Sequence, residues 1–374
     1  MGIIYFDSAA TSIPLDCAIE KAKEVLMVYG NPSSLHTAGI TAKKIIDTAR
    51  KSVANALYCK PEEVIFTGGG SESNNQAIFG CAKLRARRSK RIITTDSEHP
   101  SVSSPLSILE NDGWEILKIS TKNGVLDIES LCDELQKGAA FVTMMLVNNE
   151  TGAKYDIASV RRAIDRSGCG ALLHCDAIQG FLKTNDAKEI SKNCDLASIS
   201  AHKIGGLKGV GALYCKSGIK IPAYIHGGGQ ESNFRSGTEN VVGIASFGVA
   251  CENYKRQSAH IPELYNKLTE LLSKSDIGFQ LNIPENHVDN ILSVTVKGAK
   301  SEVILNALSL YDICISAGSA CSARKGPSGT LGSFGLTKEE IDGTVRISIG
   351  VNNNMEEIAF LVEKLEETAK RVRR

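Results

Sequence analysis

A surplus of either charge is missing from this chain: 43 Lys and Arg stand against 42 Asp and Glu, a formal net charge of +1. Without a basic excess there is no electrostatic footprint for nucleic acid or for an anionic membrane surface. Long hydrophobic runs are missing too. None approaches the roughly 20 apolar residues a membrane-crossing helix needs, and 42% hydrophobic with 23% charged residues is globular composition. The opening Met1-Gly2-Ile3-Ile4-Tyr5-Phe6-Asp7 lacks the basic and apolar regions of a signal peptide, so a mature, cytoplasmic protein is expected. The chain also lacks internal repeats and low-complexity tracts, which excludes solenoids and disordered linkers. Cysteine is not scarce, but the eleven are odd in number and none forms a C-x-x-C pair. Neither a metal site nor a disulfide framework is expected. Cys194, Cys215, Cys251 and Cys314 lie in apolar or periodic stretches and are predicted to be buried small hydrophobes; Cys321 is not.

What is present is alternation. Val64-Ile65-Phe66-Thr67, a helical stretch after Ser71, and Arg91-Ile92-Ile93-Thr94-Thr95 begin a series of short β-branched runs separated by helix-period segments. Further strands are predicted over 141–147, 171–175, 195–200 and 210–214, each followed at once by polar residues or glycine. The pattern predicts an α/β domain with a mainly parallel sheet, its chemistry gathered beyond the carboxyl ends of the strands. From Asn240 a helical pattern runs to Leu272, interrupted by Pro262, and then a smaller α+β unit follows. That unit is read as strands over 291–296 and 345–349 with helices from Ser301 and Met355. At 374 residues the chain suits one large domain and one smaller one.

Four segments carry candidate chemistry. In Ser198-Ile199-Ser200-Ala201-His202-Lys203 a lysine follows a strand and enters a glycine-rich turn, as a lysine that binds a carbonyl cofactor must; alone, such a lysine is far more often a solvated surface residue. In His174-Cys175-Asp176-Ala177-Ile178-Gln179 an aspartate just past an apolar strand is either a helix N-cap or a carboxylate for a pyridinium nitrogen, with Gln179 free to donate to a phenolic oxygen. Gly68-Gly69-Gly70-Ser71 opens a helix with free N–H groups and a hydroxyl, a phosphate cradle or a plain turn. Cys321 lies among Gly318, Ser319, Ser322, Ala323 and Gly326, a stretch without apolar periodicity. An exposed thiol there invites oxidation, so it is read as functional.

Taken together with Phe6 to Thr11, Gly30 to His36, Glu98-His99-Pro100, Val147 to Gly152, Gly227 to Glu231, Arg235 to Asn240 and Ser316 to Cys321, these segments resemble the NifS/IscS-type cysteine desulfurases over nearly the whole chain. The resemblance implies a fold-type I pyridoxal-phosphate enzyme. Its large domain would carry a mainly parallel seven-stranded sheet over 14–255, and its smaller α+β domain would take 1–13 and 256–374. It implies that Lys203 carries pyridoxal 5'-phosphate, that Asp176 and Gln179 hold the ring, and that His99 stacks on its face and is a candidate proton shuttle. Gly70, Ser71, Ser200 and His202 would cradle the phosphate, with Thr238 reaching it from the second subunit of a homodimer. Asn149 and Arg346 would bind the substrate carboxylate, a planar group that suits an arginine fork. Cys321 would receive sulfur from L-cysteine and pass it to an acceptor protein, an iron–sulfur scaffold or a thiolation enzyme. The spacing after Cys321 resembles the long-loop group; the Arg-x-Gly-His-His-Cys loop of the other group is absent. Ser8, Gly70-Ser71 and Ser232-Asn233 depart from the family's usual Asn, Ala-Thr and Arg-Gly. A selenocysteine lyase, a related aminotransferase or a degenerate scaffold are the alternatives.

Overall fold

The computed structural model describes residues 2–318 and 329–372. Seven strands form the large sheet: β1 (Val64–Thr67), β2 (Arg91–Thr95), β3 (Glu115–Ile119), β4 (Phe141–Met145), β5 (Leu172–Asp176), β6 (Leu196–Ser200) and β7 (Gly211–Cys215). Their order is β1-β7-β6-β5-β4-β2-β3. Only β7 runs antiparallel to its neighbours. Strands β4 to β6 are parallel and buried throughout, as is the antiparallel β7 beside them; cover on both faces is why they read as continuous apolar runs. One polar rung crosses their centre. His174 of β5 meets Thr143 Oγ1 of β4 at 2.8 Å through Nδ1 and Ser198 Oγ of β6 at 3.0 Å through Nε2. Both ring nitrogens are thus satisfied inside the sheet, and burial pushes the His174 pKa down to about 3.

Two helices leave the carboxyl rim of this sheet: α1 (Gly70–Arg85), after β1, and α2 (Pro100–Asn111), after β2. A second, four-stranded antiparallel sheet has the order Ser316–Ala317, Thr344–Ser348, Ile291–Thr295, Gln280–Leu281. Helices Ile261–Lys274 and Met355–Val372 bury Leu264, Leu268, Leu361 and Leu365 in its core. The N-terminal segment joins this sheet's side of the molecule. Ile4–Tyr5 pairs in parallel with Ile313–Cys314, and Asp7 bridges to Ser348.

Three expectations need correcting. The pattern from Asn240 is two helices, Val241–Gln257 and Ile261–Lys274, and Pro262 opens the second rather than breaking it. Proline is tolerated there because a first-turn N–H has no helical partner to lose. Cys194, Cys215 and Cys251 are buried as expected, but Cys314 is half-buried. The strand predicted over 141–147 stops at Met145 because Asn148 Oδ1 accepts from the N–H groups of Glu150 and Thr151, turning the chain back.

Candidate active site

A pocket of about 340 Å³ lies between the carboxyl rim of the large sheet and the second sheet. Its floor is the rim. Ser71 stands at the start of α1, His99 at the start of α2, Asp176 at the end of β5, Ser200 at the end of β6, and Lys203 in the turn that follows. Its roof is Ser316, Ala317, Gly318 and Arg346 of the second sheet. Of the residues singled out from sequence, Gly70, Ser71, His99, Asn149, Asp176, Gln179, Ser200, His202, Lys203 and Arg346 all line it. Thr238 is exposed and lies outside that lining. Cys321 falls in 319–328, outside the described residues.

The N-cap reading of Asp176 fails, because no helix begins until Ala187. Its Oδ1 accepts from the Ile178 N–H at 3.1 Å and its Oδ2 from Asn74 Nδ2 at 2.8 Å. Burial raises the Asp176 pKa, opposed by His99, these two hydrogen bonds and Lys203. A buried carboxylate with two donors and room on its pocket side fits a protonated ring nitrogen. Gln179 is fixed at both ends: Nε2 donates to the Ala9 carbonyl at 2.7 Å, and Oε1 accepts from Lys183 Nζ at 3.0 Å. Lys203 Nζ donates to the carbonyls of Ala9 and Ala10 at 2.6 and 2.7 Å.

The phosphate end is built from backbone. The N-cap of α1 is Gly69, with no side-chain cap, so its first N–H groups face the pocket open. A Cβ at Gly70 would lie 2.2 Å from Ile178 Cδ1, the movable end of that side chain. Isoleucine thus fills the volume that the departure to glycine leaves. Ser200 Oγ is buried with no partner among the described residues, a hydroxyl aimed at a group still to come. His202 Nδ1 meets Thr11 Oγ1 at 3.1 Å, and burial, with Lys203, Lys183 and Lys208 nearby, pushes its pKa down to about 4. The imidazole is therefore a neutral hydrogen-bonding group there. Lysine, buried acid, amide and open helix end together fit pyridoxal phosphate, whose ring, carbonyl carbon and phosphate they match in kind.

In the roof, Arg346 is held by the Asp7 carboxylate at 2.8 Å and the Asn149 carbonyl at 2.9 Å. Ser316 Oγ donates to the same Asp7 oxygen at 2.7 Å. Arg346 Nε is buried and has no partner among the described residues, leaving part of the fork for an incoming carboxylate. Ser8, a departure from the family pattern, donates through Oγ to the Ser348 and Ile349 carbonyls and ties this segment to the same strand.

Sequence reasoning missed Asn74, Ser101, Lys183 and the tethering role of Asp7. None of these carries a local signal; even the positive φ of 59° at Leu182, next to Lys183, is a property of the fold. Burial, with Lys203 and Arg346 close by, lowers the Lys183 pKa to about 7.

Comparison with known proteins agrees with this geometry. The aminotransferase class-V family model matches residues 4–361. A cysteine desulfurase IscS of Clostridium botulinum is 34% identical over 384 residues, spanning 99% of this chain and 95% of the relative. Among solved structures, a NifS-like protein superposes with a TM-score of 0.91 at 31% identity, covering 99% of this chain and all of the other. SspA in complex with cysteine superposes with a TM-score of 0.83 at 31% identity, covering 94% and 100%. A lysine placed against a buried aspartate at the rim of a seven-stranded sheet, in a chain matched end to end, has one consistent reading: this protein belongs to the class-V aminotransferase family of pyridoxal-phosphate enzymes.

Proposed function

We propose that the protein is a cysteine desulfurase, converting L-cysteine to L-alanine while its sulfur passes to Cys321. The observation that carries this reading is the pocket's pairing of a cofactor floor with an arginine roof, Lys203 and Asp176 below and Arg346 above. Bound pyridoxal phosphate would supply an electron sink for the substrate carbon from which the proton is lost. Lys203 anchors that group and then serves as base. Asp176 holds the ring nitrogen's proton, Gln179 donates to the ring oxygen, and His99 covers the ring face. Gly70, Ser71, Ser200 and His202 hold the phosphate. Arg346 and Asn149 orient the substrate carboxylate. Cys321 attacks the substrate sulfur: the substrate C–S bond breaks, an S–S bond forms, and the products are alanine and an enzyme persulfide. Gly318 lines the pocket. Cys321 follows Gly318 by three residues in the sequence.

The resting assembly in this reading is a homodimer. Leu26, Met27, Tyr29 and Leu35 expose from 64% to 92% of their surface. Leu35 lines a groove with Gly229 to Ser232 and Glu239, beside Thr238. A second copy would cover this face and bring Thr238 to the phosphate end of its neighbour. The chain divides at 14–255 against 1–13 with 256–374. The sulfur acceptor is an iron–sulfur scaffold or thiolation protein. Among the described residues ten cysteines are free, which suits the reducing cytoplasm, and no helix is long and apolar enough to cross a membrane.

Cys321→Ser tests the reading. The variant should still bind cysteine and exchange its α-proton, with the cofactor spectrum shifting, yet form almost no alanine or protein-bound sulfane sulfur. Alanine at the unmodified rate would remove Cys321 from the mechanism.

A further inference from the structure

The two helices that start at the pocket rim begin differently. The first turn of α1 has no side-chain cap. That of α2 is capped by His99 itself, whose Nδ1 accepts the Ser101 N–H at 3.1 Å. A second group meets the same nitrogen, since Ser101 Oγ lies 2.8 Å from Nδ1.

Asn74 decides which way that second bond runs. Its amide nitrogen is 2.8 Å from Asp176 Oδ2, and a carboxylate accepts, so nitrogen rather than oxygen must face it. The same nitrogen is 2.8 Å from Ser101 Oγ. With Asn74 donating into that oxygen, the serine's own proton is directed to His99. Two donors, one of them a backbone N–H that cannot turn round, therefore converge on Nδ1.

We propose that His99 is held as the neutral imidazole with its single proton on Nε2, and that Asn74 and Ser101 are the positioning residues that hold it there. The positive end of α2 disfavours a cation at this place, as helix N-termini do for other neutral catalytic imidazoles. The charged groups facing His99 are Asp176 from β5 and Lys203 from the turn after β6. Burial lowers its pKa, Asp176 opposes this, and Lys203 adds to it. The consequence, which rests on the desulfurase reading, is that His99 offers the pocket a fixed N–H donor and takes up no proton from the substrate. Proton uptake then falls to Lys203.

The tautomer is measured directly in the full-length protein with ¹⁵N-labelled histidine, with and without cofactor, from about pH 5 to about pH 8, the range in which histidine ordinarily titrates. His99→Gln assigns the signal. The expected result is an Nε2–H imidazole without a titration step; an Nδ1–H signal or a midpoint inside that range would overturn the proposal. Asn74→Asp reverses the relay: the new carboxylate takes the serine proton, leaving Ser101 Oγ open to accept from Nδ1–H. That variant and Ser101→Ala should move the midpoint into the observed range, while Ser101→Thr, which keeps the hydroxyl, should retain the parent spectrum. If neither Asn74→Asp nor Ser101→Ala changes the spectrum, Asn74 and Ser101 do not position His99. The readout needs neither substrate nor turnover, so failure of the desulfurase assignment would leave it standing.

Discussion

The floor and the roof of the pocket are built in opposite ways. The floor comes from neighbouring strands of one sheet: Asp176 and Ser200 end β5 and β6, and Lys203 follows three residues later. The roof comes from the two ends of the chain, since Asp7 and Arg346 are 339 residues apart and meet at 2.8 Å. A floor set by strand register holds its groups rigidly, because a slip would displace every side chain in the strand. A roof set by long-range ion pairing is secured residue by residue. The floor therefore suits a permanent cofactor and the roof a substrate that comes and goes.

The largest test of that division is Lys203→Ala. It removes both anchor and base, so alanine formation should fall on the order of 10³-fold or more and the lysine-bound absorbance of the cofactor should vanish with it. Retention of that absorbance would put the anchor elsewhere. On the other side, Arg346→Ala should leave the cofactor spectrum intact while kcat/KM for cysteine drops on the order of 100-fold, the usual cost of truncating a buried hydrogen-bonded charge pair. Arg346→Lys should recover little of this, because a point charge does not reproduce the planar fork. Loss of cofactor from either arginine variant would break the comparison by making the roof part of the cofactor site.

A buried acid under the floor gives the next effect, read through pH. Glu98 Oε1 accepts from Thr95 Oγ1 at 2.6 Å and from the Met145 N–H at 2.9 Å, while Oε2 is buried without a partner among the described residues. Burial, with Asp176 and Asp96 adding to it, pushes its pKa up to about 8. The folded state thus holds a proton that the unfolded chain releases near pH 4.5. Its contribution to stability is complete below that value and is lost as pH rises through about 8. Glu98→Gln mimics the protonated acid and removes this dependence. Urea unfolding should show the variant gaining on the parent by up to about 1.4 kcal/mol per pH unit across that window, then levelling off. A constant difference would mean that Glu98 is ionised in the fold.

The floor was legible in the sequence and much of the roof was not, for the same physical reason. Apolar runs ending in Asp176 or in Ser200-Ala201-His202-Lys203 announce strand ends locally, and strand ends of parallel sheets gather at one rim. The edge strand β3 escaped notice because Glu115 and Lys118 are exposed in it and break the apolar run. Arg346 was found through a family pattern, but its tether to Asp7 depends on the parallel pairing of Ile4–Tyr5 with Ile313–Cys314, which no local spacing encodes. Asn74 and Ser101 look like ordinary polar helix residues until α1 and α2 are placed side by side. The same holds for Lys183, whose meaning comes from Gln179 folding back against it.

The smallest effect is the most discriminating, because its sign should differ between two forms of one protein. Ser200 Oγ is buried at the end of β6, with no partner among the described residues, beside the open first turn of α1. If this hydroxyl serves the phosphate, Ser200→Ala removes one charge-assisted hydrogen bond from the loaded protein. Cofactor affinity should fall by about 1–2 kcal/mol, roughly 5- to 30-fold, and the melting temperature of the loaded form should drop with it. In the cofactor-free protein the same change removes a hydroxyl that makes no bond to the fold, so its melting temperature should hold or rise slightly. Arg346→Ala, in the roof, should leave cofactor affinity unchanged. Equal destabilisation of both forms by Ser200→Ala would instead make the hydroxyl a structural part of β6, and the phosphate would then rest on the backbone of α1 alone.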